Sequence, residues 1–520
     1  MVLGGLLCGA LPGCSFVLDS SSKQCSVDSD CNDLIEGHPL CQENVCVDAH
    51  LGPRDCSAAP LTDKSLQKDF LNACSTSKYE PFDNCARLKV GCDKTVPIVL
   101  PPTMDPPTVM SGTLPANVSV PANHCDDGIA PDHVIYMYGA ADFAPLLLAA
   151  QKSLSKEAQP YRAVFQNASS CDGVKSVFDT TFKPMKDKSL NTTSGGWAFY
   201  YNDAGVAVNC LINATATATA AGTGIVPQIG VSDLYAQTCD PASVPGSAAG
   251  SLAEYFGPIV QFGFSVPATS GEKSISMEAA HFIFGRGGKK PAGTQMLDAA
   301  PWIDASAYAI RNDKAASTVL AGLLAEVPRT KFWGIDRLST DNLRDTLLAA
   351  TSSAASSSIG ILSIDYNDKN RNNLRALYLQ AKNQNVGYLP DSSPSSYDKV
   401  NVRDGHYPLW GYVHFFTPLQ PDGNPSPAAN AIVLKFHLER LDQGLIDDVI
   451  AASLVPQCAM KVARSTEMGD FALRDGFSCG CYFDFKANNK ASEGCKTCGS
   501  NADCTDSKRP ACNYGYCEAK

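Results

Sequence analysis

From residue 132 to about 460, the chain alternates short apolar stretches with longer amphipathic ones. Short apolar runs are typical of buried strands, and apolar positions three and four residues apart are typical of helices. Strands that alternate with helices predict an α/β domain with mostly parallel sheets. The pairs are "HVIYMY" with "FAPLLLAAQKSL", "YRAVFQN" with "DGVKSVFDTTF", "AYAIRN" with "ASTVLAGLLAEV", and "IGILSID" with "NNLRALYLQAKN".

Cysteines are concentrated on either side of this domain, and the chain has 22 of them. Cysteines at 25, 31, 41 and 46 and at 498, 504, 512 and 517 form a repeat with similar spacing. Each unit is too small and polar to hold a core, so we expect disulfides, whose pairing the spacing leaves open. Zinc is the alternative, since Cys495 and Cys498 form a CxxC, but the repeat lacks two well-spaced CxxC pairs.

The opening "MVLGGLLCGALPGC" is a short apolar run that ends in small residues, as export signals do. Its "LPGC" resembles the lipobox of bacterial lipoproteins, which implies that Cys14 carries a lipid. The alternative is a plain secretory signal with Cys14 in a disulfide. Both place the protein outside the cytoplasm, in the cell envelope (periplasm, outer membrane or cell surface), where cysteines oxidise.

Composition sets the remaining boundaries of the chain. Seven prolines between Pro97 and Pro121 predict an extended spacer. The predicted order is a signal peptide (1–13), an anchor linker (14–24), a Cys-rich region (25–93), the Pro-rich spacer (94–124), the α/β domain (125–470) and a Cys-rich module (471–520).

The charge and the motifs argue against two classes of function. A net charge of -11 with no long Lys/Arg run does not suit nucleic acid. No HExxH, P-loop or GxGxxG motif occurs. We therefore expect a binding protein, not an enzyme, without cofactor or metal.

Three strand ends lead into helix starts that are rich in hydrogen-bond donors: Gly139–Phe143, the stretch with Ser169 and Ser170, and Arg311 followed by Ser317. Free N–H groups and the positive end of the helix dipole bind anions, and serine hydroxyls add donors. Together the three form a candidate oxyanion site. Each one alone is more often just a capped helix.

Six motifs occur in an order that resembles the periplasmic phosphate-binding proteins of ABC importers and related two-lobed solute-binding proteins. The resemblance implies two lobes, two hinge crossings, a ligand in the interlobe cleft and an ABC permease as partner. The motifs are "GAADFAP", "NASSCDGVK", "IGVSDLYA", "IRNDKAAST", "SIGILSIDY" and "HYPLWGY".

The resemblance also implies roles for single residues. Ser170 would donate its hydroxyl, Phe143 its backbone N–H, and Arg311 its guanidinium. Asp233 would accept a proton from a protonated oxyanion, because a buried carboxylate beside an anion is tolerable only with a proton between them. Asp142, Ser169 and Ser317 complete the predicted ligand-binding set.

The sequence departs from the family at the first and fourth motifs. Asp142 stands where the family has Thr, Ala315 and Ala316 where it has Ser and Gly, and Ser317 where it has Thr. An inward carboxylate at 142 would repel phosphate, unless Asp142 only caps its helix.

The sequence therefore predicts a lipid-anchored extracytoplasmic substrate-binding protein for phosphate or another small polar solute. The alternative is a cell-surface interaction or structural protein that kept the lobes and lost the ligand. A secreted hydrolase would need a nucleophile and a base that converge in the cleft.

Overall fold

The computed structural model describes residues 25–26, 30, 40–42, 45–47, 56–93, 95–107, 110–111, 120–157, 160–187, 196–212, 223–438, 440–492 and 494–519. The predicted signal peptide, anchor linker and Cys14 lie outside these residues. No helix among the described residues is long and apolar enough to cross a bilayer. The chain divides into two compact units, residues 1–54 with 74–76 and residues 55–73 with 77–520.

The smaller unit contains a two-stranded antiparallel ribbon in which Cys41 lies opposite Cys46. The N-terminal segment of the larger unit contributes short elements before the lobes begin. The ribbon strands of the smaller unit are β1 (Leu40–Gln42) and β2 (Val45–Val47). The short elements of the larger unit are α1 (Gln67–Leu71), β3 (Tyr79–Glu80), α2 (Asn84–Leu88) and β4 (Met110–Ser111).

The first lobe is a sheet with a parallel centre and an antiparallel edge. Strand β5 pairs in parallel with β6 and β9, whereas β6, β7 and β8 pair antiparallel. The elements are β5 (Val134–Ala140), α3 (Ala144–Leu154), β6 (Arg162–Ala168), α4 (Ser170–Phe178), β7 (Ala198–Tyr201), β8 (Ala207–Cys210), β9 (Ile229–Ser232) and α5 (Ala236–Cys239).

A 16-residue strand, β10 (Leu252–Pro267), leads out of the first lobe into the second. The second lobe contains β11 (Ser274–Ser276), α6 (Met277–Arg286), β12 (Tyr308–Ile310), α7 (Ala316–Leu324), β13 (Ile335–Asp336), α8 (Thr340–Ala349), α9 (Ser352–Ala355), β14 (Ile359–Ser363), α10 (Ile364–Lys369), β15 (Leu374–Ala376), β16 (Tyr378–Gln380), β17 (Gly387–Tyr388) and α11 (Val400–Asp404).

Strand β18 (Trp410–Pro418) brings the chain back to the first lobe. It pairs antiparallel with β9 and with the first part of β10, while the last part of β10 pairs with β14 of the second lobe. The chain thus crosses twice between the lobes, and the predicted two-lobed α/β class is confirmed. The C-terminal elements are α12 (Pro427–His437), α13 (Gln443–Ala451), β19 (Val462–Ala463), β20 (Ala472–Leu473), α14 (Gly480–Asn488), β21 (Ala511–Asn513) and β22 (Tyr516–Glu518).

One predicted helix is wrong. The stretch "NNLRALYLQAKN" forms β15 and β16, which pair with β10 and β11. Leu374, Leu377 and Leu379 are at most 2% exposed, so the sheet and the packing beneath it override the helical periodicity.

The Pro-rich segment is not a free spacer along its whole length. His281 Nε2 lies 2.7 Å from the carbonyl oxygen of Pro101, and Trp333 Nε1 donates to Met104 at 3.1 Å. Upstream of it, Phe70 and Leu88 are fully buried in the main core. Extended prolines keep their carbonyl oxygens free, and the second lobe binds those oxygens. The packed domain therefore begins well before residue 125.

The C-terminal module contains disulfides, not a zinc site. Its CxxC cysteines belong to different bridges, and the sulfurs of Cys498, Cys504 and Cys517 lie close together but are all oxidised. The ribbon of β21 and β22 places Cys512 opposite Cys517, as β1 and β2 place Cys41 opposite Cys46. Bridges in the described part of the chain include 85–92, 125–210, 171–239, 458–479, 481–495, 498–512 and 504–517.

Candidate functional site

A small polar cavity lies between the two lobes, at the ends of several strands. Its volume is about 20 Å³, room for roughly one water molecule. Five hydroxyl side chains, one guanidinium and one carboxyl group line it. The lining residues are Ala140, Ala141, Asp142, Ala168, Ser169, Ser170, Phe262, Arg311, Ala315, Ala316, Ser317, Thr340, Ile361 and Ser363.

Two glycines allow the first lobe to bring its turns together. Gly139, the next-to-last residue of β5, has φ +144°, and a Cβ there would lie 1.8 Å from the carbonyl oxygen of Val231. A Cβ on Gly173, in α4, would lie 2.0 Å from the same oxygen. Because β5, α4 and β9 approach this closely, Asp142, Ser170 and Asp233 can meet at one place.

Gly173→Ala tests this close approach without backbone strain. We expect it to lower the free energy of unfolding by roughly 1–3 kcal/mol, because backbone atoms must move to admit the methyl group. Denaturant unfolding measures the loss. The matched control is Gly271→Ala, where a Cβ meets nothing within 4 Å. Equal stability of the two variants would contradict the expectation.

A carboxyl pair lies on the first-lobe side of the cavity. Asp233 is 0% exposed, and its Oδ2 accepts a hydrogen bond from Ser170 Oγ at 3.2 Å. The carboxyls of Asp233 and Asp142 are close enough to hydrogen-bond when one of the two carries a proton. Burial, then the charge of Asp142, holds the pKa of Asp233 well above its ordinary value. These effects favour a proton shared by the two carboxyls.

Asp142 retains some exposed surface, but its carboxyl group belongs to the cavity. Burial, followed by the nearby charge of Asp365, raises the pKa of Asp142, while Ser363 and Arg311 act in the opposite direction. It lies in a short 3₁₀ turn, Ala141–Phe143, which has no side-chain cap. The sequence left open whether Asp142 points into the cavity or caps its helix. In the structure it points into the cavity.

Arg311 faces the cavity from the second lobe. Arg311 is 9% exposed, and its Nη1 donates to Thr340 Oγ1 at 2.9 Å. Its Nε is buried without an acceptor, and no carboxylate of the described residues lies within 4.0 Å of the guanidinium. Burial lowers the pKa of Arg311, but a guanidinium remains charged. The cavity thus contains a cation whose hydrogen bonds are incomplete.

The lobes touch each other beside the cavity. Ser169 Oγ donates to Asn312 Oδ1 at 3.0 Å, and Lys314 Nζ lies 3.0 Å from Asp172 Oδ1. The backbone N–H of Cys171 also donates to the carbonyl oxygen of Lys314 at 3.1 Å. These contacts hold the lobes together around the cavity, which explains its small size.

The structure brings six of the seven predicted ligand residues to one place: Asp142, Ser169, Ser170, Arg311 and Ser317 line the cavity, and Asp233 contacts two of them. Phe143 is different. Its ring is fully buried and makes edge contacts with Phe165, Phe415 and Phe436, and the residue is not part of the lining. That any of these residues binds a ligand stays a prediction.

Sequence reasoning missed Thr340 and Ser363. Ser363 ends β14 inside a motif that the resemblance quoted, and its Oγ donates to Asp365 Oδ1 at 2.7 Å. Thr340 opens α8, 29 residues after Arg311, and nothing in the sequence links the two. Only the fold reveals that Thr340 orients the guanidinium.

A GxSxG stretch at Gly476–Gly480 does not form a hydrolase nucleophile. Ser478 Oγ donates to Glu518 Oε2 at 3.3 Å, and Cys479 is in a disulfide with Cys458. An activated serine needs a histidine base, and the described residues bring none to Ser478.

The sequence matches no protein-family model, and no curated protein sequence matches it. Solved structures do match. An ABC-type phosphate transport receptor from Vibrio cholerae is 10% identical, with 62% of this chain and 99% of that chain covered and a TM-score of 0.36. A periplasmic phosphate-binding protein bound with phosphate is 12% identical, with 62% and 90% covered and a TM-score of 0.37.

A mutant OxyR from Corynebacterium glutamicum also matches, at 8% identity and a TM-score of 0.32, with 62% of this chain and 66% of that chain covered. At these values the likenesses carry no argument about ligand or function.

Proposed function

We propose that the protein is a non-enzymatic, extracytoplasmic substrate-binding protein that closes its two lobes on a small polar oxyanion. The observation that carries the proposal is the buried guanidinium of Arg311, which faces a hydroxyl-lined cavity with an unused Nε donor. A buried donor without a partner costs about 1–3 kcal/mol, so a native protein that keeps one needs a reason. An acceptor brought by the ligand is such a reason.

The carboxyl pair limits which anions can bind. Asp142 and Asp233 with one shared proton carry one negative charge, and the charge of Asp336 also acts on Arg311. A further anion is tolerable only if a second proton enters with it, either on the ligand or on the pair. We therefore infer that binding is coupled to proton uptake, and that the ligand is phosphate or another protonatable or weakly charged oxyanion.

The cellular setting of this proposal comes from the sequence. A lipid anchor at Cys14 would hold the protein in the cell envelope, and an ABC permease would receive the ligand. The disulfides of both flanks suit an oxidising compartment.

Calorimetric titration with sulfate and phosphate at pH 8 and pH 5 tests the proton coupling. Sulfate does not titrate in this range, so a pH effect on its affinity reports protons taken up by the protein. Acid favours the doubly protonated pair because the pKa values of both carboxyls are raised. We expect binding of both anions to be at least about tenfold tighter at pH 5, which is about 1.4 kcal/mol.

The variant Asp142→Asn should bind both anions more tightly at pH 8, and its sulfate affinity should lose most of its pH dependence. Arg311→Met should abolish binding at both pH values. Asp132→Asn, an exposed carboxyl of the same lobe, is the matched control. If neither anion binds the wild type or Asp142→Asn at either pH, the oxyanion proposal fails.

That failure would favour the second candidate, a surface interaction protein that has kept the fold without a ligand. One observation supports it: the Asp142 carboxyl already stands near the guanidinium, where a ligand anion would be. In this case the Asp142→Asn variant should bind no anion, and the substitution should change only the free energy of unfolding.

A further inference from the structure

A second and much larger cavity lies in the second lobe, beside α10. Its volume is about 420 Å³, within the range of small-molecule sites. We call it the α10 cavity. Apolar side chains form much of its wall, among them Ile364, Leu374, Leu389 and Pro390. It is separate from the interlobe cavity, with which it shares no lining residue.

One polar group in the wall has an unused acceptor. Asn367 is 3% exposed, and its Nδ2 donates to Ser265 Oγ at 2.8 Å. Its Oδ1 is buried and receives no donor from the described protein. The orphan oxygen belongs to a residue that lines the α10 cavity, so a ligand N–H or O–H is a fitting partner.

The cavity lining carries three cations and three carboxylates, and three of these six groups form an ion cluster with Lys399, which lies outside the lining. Asp368 and Asp391 are compensated by Arg371 and Lys399. The remaining charged groups of the lining are Glu80, Lys273 and Arg375. Two cations therefore face one carboxylate.

Both of these cations have capacity for an anion. Within the described part of the chain, Arg375 donates only to the carbonyl oxygens of Ala268, Ser270 and Glu272. Lys273 Nζ is 3.5 Å from Glu80 Oε1, and its side chain is 65% exposed. An incoming carboxylate would give Lys273 and Arg375 a second counter-charge beside Glu80.

We propose that the α10 cavity binds a small amphipathic carboxylate. Its apolar body fills the wall of leucine, isoleucine and proline, its N–H or O–H donates to Asn367 Oδ1, and its carboxylate pairs with Lys273 and Arg375. This site is independent of the oxyanion proposal, because it uses none of the interlobe residues.

N-acetyl-L-phenylalanine has all three features and serves as the probe, and its uncharged amide is the matched ligand. Calorimetric titration of the full chain should show saturable binding of the acid, with the amide weaker by about tenfold or more. Asn367→Leu removes the acceptor and keeps a side chain of similar volume. It should weaken binding of the acid by at least about tenfold. Lys273→Met should weaken binding of the acid and leave the affinity for the amide unchanged.

Three controls separate the possible outcomes. Lys152→Met changes an exposed lysine on α3 of the other lobe and should leave binding unchanged. Arg311→Met should also leave the probe unaffected, and loss of binding there would place the probe in the interlobe cavity and overturn the proposal. Absence of saturable binding to the wild type, or equal affinity for acid and amide, would overturn it as well. If Asn367→Leu does not fold, the Lys273→Met comparison decides.

Discussion

Lys399→Met is expected to lower the free energy of unfolding at pH 8 by about 3–5 kcal/mol, the usual cost of removing one partner from a buried ion cluster. Lys399 is 1% exposed. Its Nζ lies 2.8 Å from Asp368 Oδ2 and 2.9 Å from Asp391 Oδ1. Arg371 also pairs with Asp368 and with Asp391. Without the Lys399 ammonium, this one guanidinium would have to compensate both buried carboxylates.

The loss should depend on pH. Burial already raises the pKa of Asp391 to about 6, although Lys399 lowers it. Without Lys399 the pKa values of Asp391 and Asp368 should rise, so the folded variant keeps protons that the unfolded chain has lost. Stability of the variant then falls as pH increases through this range. Its deficit against the wild type should be smaller at pH 5 than at pH 8.

Denaturant unfolding at the two pH values measures both effects. Lys152→Met is the control, because that lysine is 56% exposed and pairs only weakly at the surface. The double variant Lys399→Met/Asp391→Asn removes one of the stranded carboxylates and should recover part of the loss. A deficit no larger than that of Lys152→Met would show that the cluster does not stabilise the lobe.

The sequence predicted the two lobes because strand and helix periodicities alternate and because six short motifs follow one another in order. It also placed Asp142, Ser170, Asp233 and Arg311 at strand ends, which parallel strands gather on one edge. It could not predict the carboxyl pair. Asp142 and Asp233 are far apart in sequence, and their distance is set by the glycine contacts with Val231.

Other errors have a common cause. A helical pattern at residues 372–383 became two strands because their leucines fill a core that local sequence does not reveal. The prolines near residue 101 indicated an extended chain correctly, but not the His281 and Trp333 side chains that bind it. In each case the partner lies in a distant part of the chain.

Asp233→Asn is expected to raise the free energy of unfolding at pH 8, by roughly 1–3 kcal/mol, because a buried carboxyl without a counter-ion is costly in its ionised form. Asp233 is 0% exposed and its Oδ1 receives no donor from the described protein. The asparagine can still accept from Ser170, and its N–H can donate to Asp142, so the hydrogen bond of the pair survives.

The sign of the pH dependence distinguishes this effect from ordinary repacking. Because the pKa of Asp233 is raised, the folded wild type binds a proton more tightly than the unfolded chain. Wild-type stability therefore falls as pH rises from the ordinary aspartate value through the raised one. The variant lacks this loss, so its advantage should be small at pH 4 and largest at pH 8.

Thermal and denaturant unfolding of Asp233→Asn across this range, beside the exposed control Asp132→Asn, measure the difference. A constant offset between variant and wild type at all pH values would mean that Asp233 does not hold the shared proton. The same variant bears on function. The amide removes one acid of the pair, so tighter folding at pH 8 should come with an anion affinity that depends less on pH, as in Asp142→Asn. Stability and ligand selection would then depend on the same proton.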